Sequence, residues 1–342
     1  MPEFLPWVTF FVSAGVVVAA ATQLARHGDR IAAETGVGGL WIGVVLVAGA
    51  TSLPEIVTDT SAAWIDEPDL AVGDLFGSSM ANMMILALIT LLYRRHQIWQ
   101  RITLSHTLVA ALAIVLTSLA GASISADLGW SIGHVGLDTI GIALVYVLGM
   151  RIILRHEHLE ARRRIGEEAG RATSSGDDAE EVKLRLPSRG SLFAFGASAA
   201  FILAAAPFLA SSASDISDIT GISDAFVGVT FLAITTSLPE LATVIAAVRL
   251  GSYDLAVGNL FGSNAVNMSI FLFADIAYRP GPISANVAEA QVLASLVPIL
   301  LMATAMMGII HRAERRFLVE PGAVAMVLGY IGGLWLVFQA GV

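Results

Sequence analysis

Two pentapeptides reading T-S-L-P-E occupy residues 51–55 and 236–240, each inside a long apolar stretch. Each delivers a carboxylate, Glu55 or Glu240, to surroundings that otherwise read as lipid-facing helix. An ionised side chain near mid-bilayer costs roughly 2.5 to 3.5 kcal/mol on insertion scales and faces a pathway or a partner. No Lys or Arg falls in the core of any apolar stretch, so the counter-charge has to be a proton or a bound cation. Pro54 and Pro239 each remove a backbone donor and clash with the carbonyl four residues earlier, at Ala50 and Thr235. The freed carbonyls join Thr51, Ser52, Ser78 and their copies in an all-oxygen set without His or Cys. Such a set suits a hard cation such as Ca2+ or Na+ and argues against zinc or copper.

These residues belong to a longer repeat. Shifting the chain by 185 positions aligns 48–85 with 233–270 without a gap and leaves 20 of the 38 positions identical. Glu55 to Asn82 and Glu240 to Asn267 therefore have one spacing. In "GDLFGSSMANM" and "GNLFGSNAVNM", Ser78 and Asn82 lie four apart on one helical face, as do Ser263 and Asn267. The glycines and serines allow close backbone approach.

The elements that position these groups are membrane helices. Of 342 residues, 56% are hydrophobic and only 14% charged, with a mean hydropathy of +0.76, which places the chain in a lipid bilayer. A span needs about 20 apolar residues. Ten segments qualify: 5–25, 38–64, 69–93, 102–121, 132–154, 191–212, 224–250, 253–278, 287–310 and 320–340. The first lacks a basic leader, is followed by Arg26, and reads as a retained span. Alternate loops collect 18 of the 19 basic residues and leave only Arg279 on the other side, so the basic side is cytoplasmic and both termini lie outside. Five spans separate equivalent motif positions, and an odd number inverts the second copy. The expected fold is all-α, ten helices in two inverted five-helix repeats, 1–154 and 191–342, joined by a cytoplasmic linker at 155–190. The start of that linker suits a short amphipathic helix, and "TSSGDDAEE" reads as solvated chain. Inverted repeats put substrate near the midplane on discontinuous helices.

At these residues the chain resembles the cation/calcium exchanger superfamily, specifically the sodium/calcium exchangers, whose paired repeats read (G)TSLPE followed by GNxxGSNxxN or D. The resemblance implies a divalent site made by Glu55 and Glu240 with the main-chain carbonyls of Thr51 and Thr236. It implies flanking sodium sites from Ser52, Ser78, Ser237, Ser263 and the carbonyls of Ala48 and Ala233, with Asn82 and Asn267 between. It also implies sliding of helices one and six past the remaining core. The implied activity is exchange of Na+ for Ca2+ across the plasma membrane by alternating access, without covalent chemistry, cofactor or nucleic acid; a monomer suffices. The chain departs from the pattern at Asn267, where relatives often carry Asp, and at Ser79, which replaces the Asn of GSN. Asp74 stands where the family has Asn, and Asp59 follows Glu55 by one turn where a small polar residue is usual. These two acids join the candidate metal ligands and bear on which ions are exchanged. A proton-coupled exchanger of Ca2+ or another divalent ion is the alternative, and a cation channel shares the acidic pore. An intramembrane metalloprotease would need a motif such as HExxH, which the chain lacks.

Asp69 and Asp254 follow Pro68 and Tyr253 and are expected to cap their helices. Asp66, Glu67, Asp215, Asp218 and Asp224 read as a solvated outer rim. His27, His96, His156, His158 and His311 mark span ends, and His106 and His134 show no ligand spacing.

Overall fold

The computed structural model describes residues 4–35, 51–93, 105–127, 129–171, 188–311 and 320–341. Within these the chain is helical, apart from a two-residue hairpin (β1 Ser131–Ile132, β2 Val135–Gly136) and short turns. The helices are α1 (Leu5–Thr35), α2 (Leu53–Trp64), α3 (Pro68–Leu92), α4 (Ser105–Ala126), α5 (Leu137–Arg171) and α6 (Arg189–Thr220). They continue with α7 (Asp224–Thr236), α8 (Leu238–Arg249), α9 (Tyr253–Ala277), α10 (Ala290–His311) and α11 (Pro321–Ala340). Eight of these are long and apolar enough to cross a membrane, and the bent pair α7–α8 makes a ninth. Of the predicted span 38–64, only its second half, α2, lies among the described residues. The element bounds follow the internal repeat: α2 and α8 both start and end 185 positions apart, and so do α3 and α9.

Burial sorts the helices. In α3 78% of the most apolar window is buried and in α9 67%, against 44% or less in every other candidate span. α3 and α9 therefore form the centre, and α2, α7, α4 and α10 pack around them. α1 and α6 run against one another along an interface of small and aliphatic side chains, with Ala20, Ala21 and Leu24 facing Ile202.

Two breaks shape the core. The residues before Pro54 and Pro239 adopt nearly the same conformation: Ser52 has φ −84°, ψ 1° and Ser237 has φ −84°, ψ −1°. α7 and α8 meet there at 42°. Upstream, α7 widens into a π-helical turn at Gly228–Leu232, and α3 crosses this turn at backbone contact. A Cβ on Gly77 would lie 2.5 Å from the Val229 carbonyl oxygen, and one on Gly228 would lie 2.6 Å from that of Leu70. Only hydrogen fits at either position.

Two expectations change. α5 continues without interruption from the membrane to Arg171, so no separate short helix begins after residue 154. The solvated stretch "TSSGDDAEE" and His96 lie outside the described residues. Asp69 and Asp254 are not caps; Glu67 and Ser252 occupy those positions without a side-chain cap bond, and the two acids sit just inside, in the first turn. Asp69 instead accepts hydrogen bonds from the Ala288 amide at 2.9 Å and from Gln291 at 3.2 Å, tying α3 to α10. Asp254 pairs with His106 at 3.2 Å, joining the starts of α9 and α4. Arg279 stacks on the Trp64 ring at 5.7 Å, which brings the α2–α3 and α9–α10 connections to one end of the bundle.

One buried acid is purely architectural. Asp275 accepts from the Gly136 amide at 2.7 Å, Thr139 Oγ1 at 2.5 Å and the Ile283 amide at 2.7 Å, locking the hairpin and the following turn onto α9. Asp275→Ala orphans the Gly136 and Ile283 amides, at about 2 kcal/mol or more in total, and leaves Thr139 only the Gly136 carbonyl at 3.0 Å. The expected result is a markedly lower aggregation temperature in detergent.

Glu67 behaves differently. Burial lifts its carboxyl above the usual range, opposed by the Ser214 hydroxyl that donates to it at 2.7 Å and reinforced by Asp224, Asp218 and Asp66. A raised folded-state pKa means that stability is lost as pH climbs from the ordinary value through the folded one, so the cost is fully present at pH 7.5. Glu67→Gln keeps an acceptor for Ser214 and removes the charge. Its melting temperature should rise by about one degree at pH 7.5 and match the parent at pH 4.

Candidate ion-binding site

The two helix breaks, at 52 and 237, expose polar groups to the crossing of α3 and α9. Glu55 sits at the start of α2 and is 2% exposed; Glu240, at the start of α8, is fully buried. Glu55 has Glu240 as its first electrostatic neighbour and Asp74 as its second. The two repeated acids are thus together in the interior and turned away from lipid. Neither oxygen of Glu240 meets a donor at bonding geometry, and Oε2 of Glu55 has none. The Thr51 side chain lies against Glu240.

A bonded group links the repeats beside them. Thr236 Oγ1 and Ser78 Oγ both donate to Asp74 Oδ1, at 3.0 and 3.1 Å, and stand 3.1 Å from one another. The predicted residues Ser52, Ser237, Ser263 and Asn267 are all buried, each with a polar side-chain atom lacking a hydrogen-bond partner. Asn82 donates to Asn264 Oδ1 at 2.9 Å, and Asn264 Nδ2 reaches the Ser79 carbonyl at 3.3 Å. Asn264 was not singled out by its sequence; its amide reaches a side chain and a main-chain carbonyl of the other half, and the latter contact leaves no mark in residue type. The Ala233 carbonyl accepts from the Ser237 amide at 3.1 Å, so one of its lone pairs is committed. Ala48 lies outside the described residues. Asp59 is buried beside Asp74, and neither of its oxygens has a partner.

Buried oxygen atoms without donors are costly unless something positive satisfies them. Among the described residues no Lys or Arg pairs with these acids, the one side-chain ion pair being His106–Asp254. Nor do three acids or histidines there converge as one ligand set. Coordination would have to combine carboxylates in pairs with hydroxyl and carbonyl oxygens, the mixture suited to a hard cation.

Paired acids enclosed at broken helices in a membrane bundle define a cation transporter. The chain belongs to the sodium/calcium exchanger protein family, whose profile matches residues 5–150 and 190–339. It is similar to the putative antiporter CaxA of Alkalimonas amylolytica, with 27% identity over 97% of this chain and 99% of that one. Its fold is similar to the crystal structure of the H+/Ca2+ exchanger CAX, with a TM-score of 0.69 and 14% identity over 98% of this chain and 84% of the other. It is also similar to the sodium-calcium exchanger NCX_Mj, with a TM-score of 0.60 and 18% identity over 97% and 99%.

Proposed function

We propose that this chain is a secondary antiporter that moves Ca2+ across the membrane in exchange for Na+ by alternating access. The observation that carries this reading is the enclosure of Glu55 and Glu240 together, with, among the described residues, no basic residue beside them and only the Thr51 side chain against Glu240. Two carboxylates resist occlusion in a low-dielectric interior when bare, whereas one Ca2+ or several Na+ ions neutralise them, so only loaded states cross. Glu55 and Glu240 bind the divalent ion with the carbonyls of Thr51 and Thr236. Ser52, Ser78, Ser237 and Ser263, with the carbonyls of Ala48 and Ala233, serve Na+. The two halves run in opposite directions through the plasma membrane, with 155–190 in the cytoplasm. α1 and α6 slide as a pair, consistent with their extensive mutual packing. The functional unit is a single chain.

Proton coupling is the second reading, and the additional buried acids Asp59 and Asp74 favour it. Proteoliposomes decide between them. Uptake of 45Ca2+ driven by an outward Na+ gradient supports the first reading. Uptake driven only by a pH gradient in sodium-free buffer replaces it with the second, and Ca2+ flux needing no counter-ion overturns exchange altogether.

A further inference from the structure

The two halves differ in one respect that the repeat does not require. Asp59 and Asp74 have no acidic copies; the positions 185 residues later are Val244 and Asn259. Asn259 donates to Thr243 Oγ1, on the neighbouring helix, at 3.1 Å. By repetition Asp74 would meet Thr58. Instead Asp74 turns toward the other half and accepts from Ser78 and Thr236, while Thr58 Oγ1 stays buried without a partner.

The Asp59 and Asp74 carboxyls lie within hydrogen-bonding reach of each other, each fully buried. When both are ionised, neither has a hydrogen to donate. Both oxygens of Asp59 and Oδ2 of Asp74 are left without donors. With both acids ionised, Asp59 is thus an unpartnered, enclosed carboxylate beside a second one, whose Oδ1 is met by two hydroxyls 3.1 Å apart.

Charge counting extends the point. Around the crossing of α3 and α9, four buried carboxylates, Glu55, Asp59, Asp74 and Glu240, stand near one another, and one divalent ion cancels two of them. Glu55 has Glu240 as its first charged neighbour and Asp59 has Asp74, while Asp74 also stands near Glu55 and Glu240. We propose that Asp59 and Asp74, with the hydroxyls of Ser78 and Thr236, bind a second hard cation, Ca2+ or Na+, distinct from the ion held by Glu55 and Glu240. This rests on the proposed function for the first ion and concerns residues on one repeat only.

Equilibrium dialysis of the purified full-length chain in detergent at pH 7.5, with 45Ca2+ and 22Na+ in separate arms, tests it. Asp59→Val/Asp74→Asn rebuilds in the first half what the second half carries, and Asp59→Asn alone serves if that pair does not fold. Glu55→Gln/Glu240→Gln removes the first site, and size exclusion checks each variant. The expected result is a capacity that falls by one ion per chain in the Asp variant, while one bound ion survives in the Glu variant; the isotope lost names the cation. An unchanged capacity in the Asp variant, with all binding lost in the Glu variant, overturns the second site and leaves the proposed exchange intact. That result would mean the pair closes on a proton. If neither isotope binds the parent chain, the first reading fails as well.

Discussion

Glu240→Gln is expected to abolish 45Ca2+ uptake in proteoliposomes, and Glu55→Gln to do the same. Each glutamine is nearly isosteric and fits the same buried space, but it removes one of two charges that face each other where no basic residue stands in. A partner lost from a buried charge cluster costs about 3 kcal/mol or more, equivalent to roughly 100-fold in affinity. The remaining carboxylate alone cannot neutralise a divalent ion, so transport should fall further than binding. Glu240→Asp retains the charge but withdraws it by one methylene, and should weaken Ca2+ binding without eliminating it. Measuring Ca2+ affinity by dialysis alongside flux separates the two effects. Full uptake by Glu240→Gln would exclude this carboxyl from the ion path and remove the basis of the exchange reading.

Gly77→Leu is expected to yield no folded protein, and Gly77→Ala a chain destabilised by about 3 kcal/mol. The cause is contact with atoms that cannot rotate away: a Cβ here meets the Val229 carbonyl oxygen at 2.5 Å, Val229 Cα at 2.6 Å and Ala233 Cβ at 2.6 Å. Overpacking of a close-packed interior costs 1–3 kcal/mol even where side chains can yield, and backbone yields less. The strain also has a direction. Displaced from α3, the π-helical turn Gly228–Leu232 would carry Ala233 and then Thr236 away from Ser78 and Asp74. A surviving Gly77→Ala chain should therefore show weaker ion binding in addition to a lower aggregation temperature, read by size exclusion after a heat step. Wild-type stability in this variant would mean that the two helices do not cross as closely as described.

Much of this was legible from residue order because bilayers leave few choices. The boundaries of α3, α9 and α11 fall within a residue or two of the apolar segments, since a span must begin and end where water does. Pro54 and Pro239 announced the helix breaks through a local steric rule. The described candidate residues, read from a duplicated motif, are buried, and the structure brings Glu55 and Glu240, and Thr236, Ser78 and Asp74, into company. What escaped were contacts between distant parts of the chain. The bond from Thr236 to Asp74 joins residues 162 apart, and the reach of Asn264 to Asn82 joins residues 182 apart. Nothing periodic marks either. Asp69 carried a capping signature, yet the pull of Ala288 and Gln291 prevailed because α10 packs alongside. The inward turn of Asp74, unlike Asn259, was visible only as an odd letter in a motif.

The length of α5 has a mechanical corollary. Thirty-five residues make a rod of about 52 Å, while the hydrocarbon layer is about 30 Å thick. Even with an ordinary tilt of about 20°, about three turns extend past the hydrocarbon layer as one stiff lever. Force applied at its free tip would reach the bundle as torque, without having to cross a hinge.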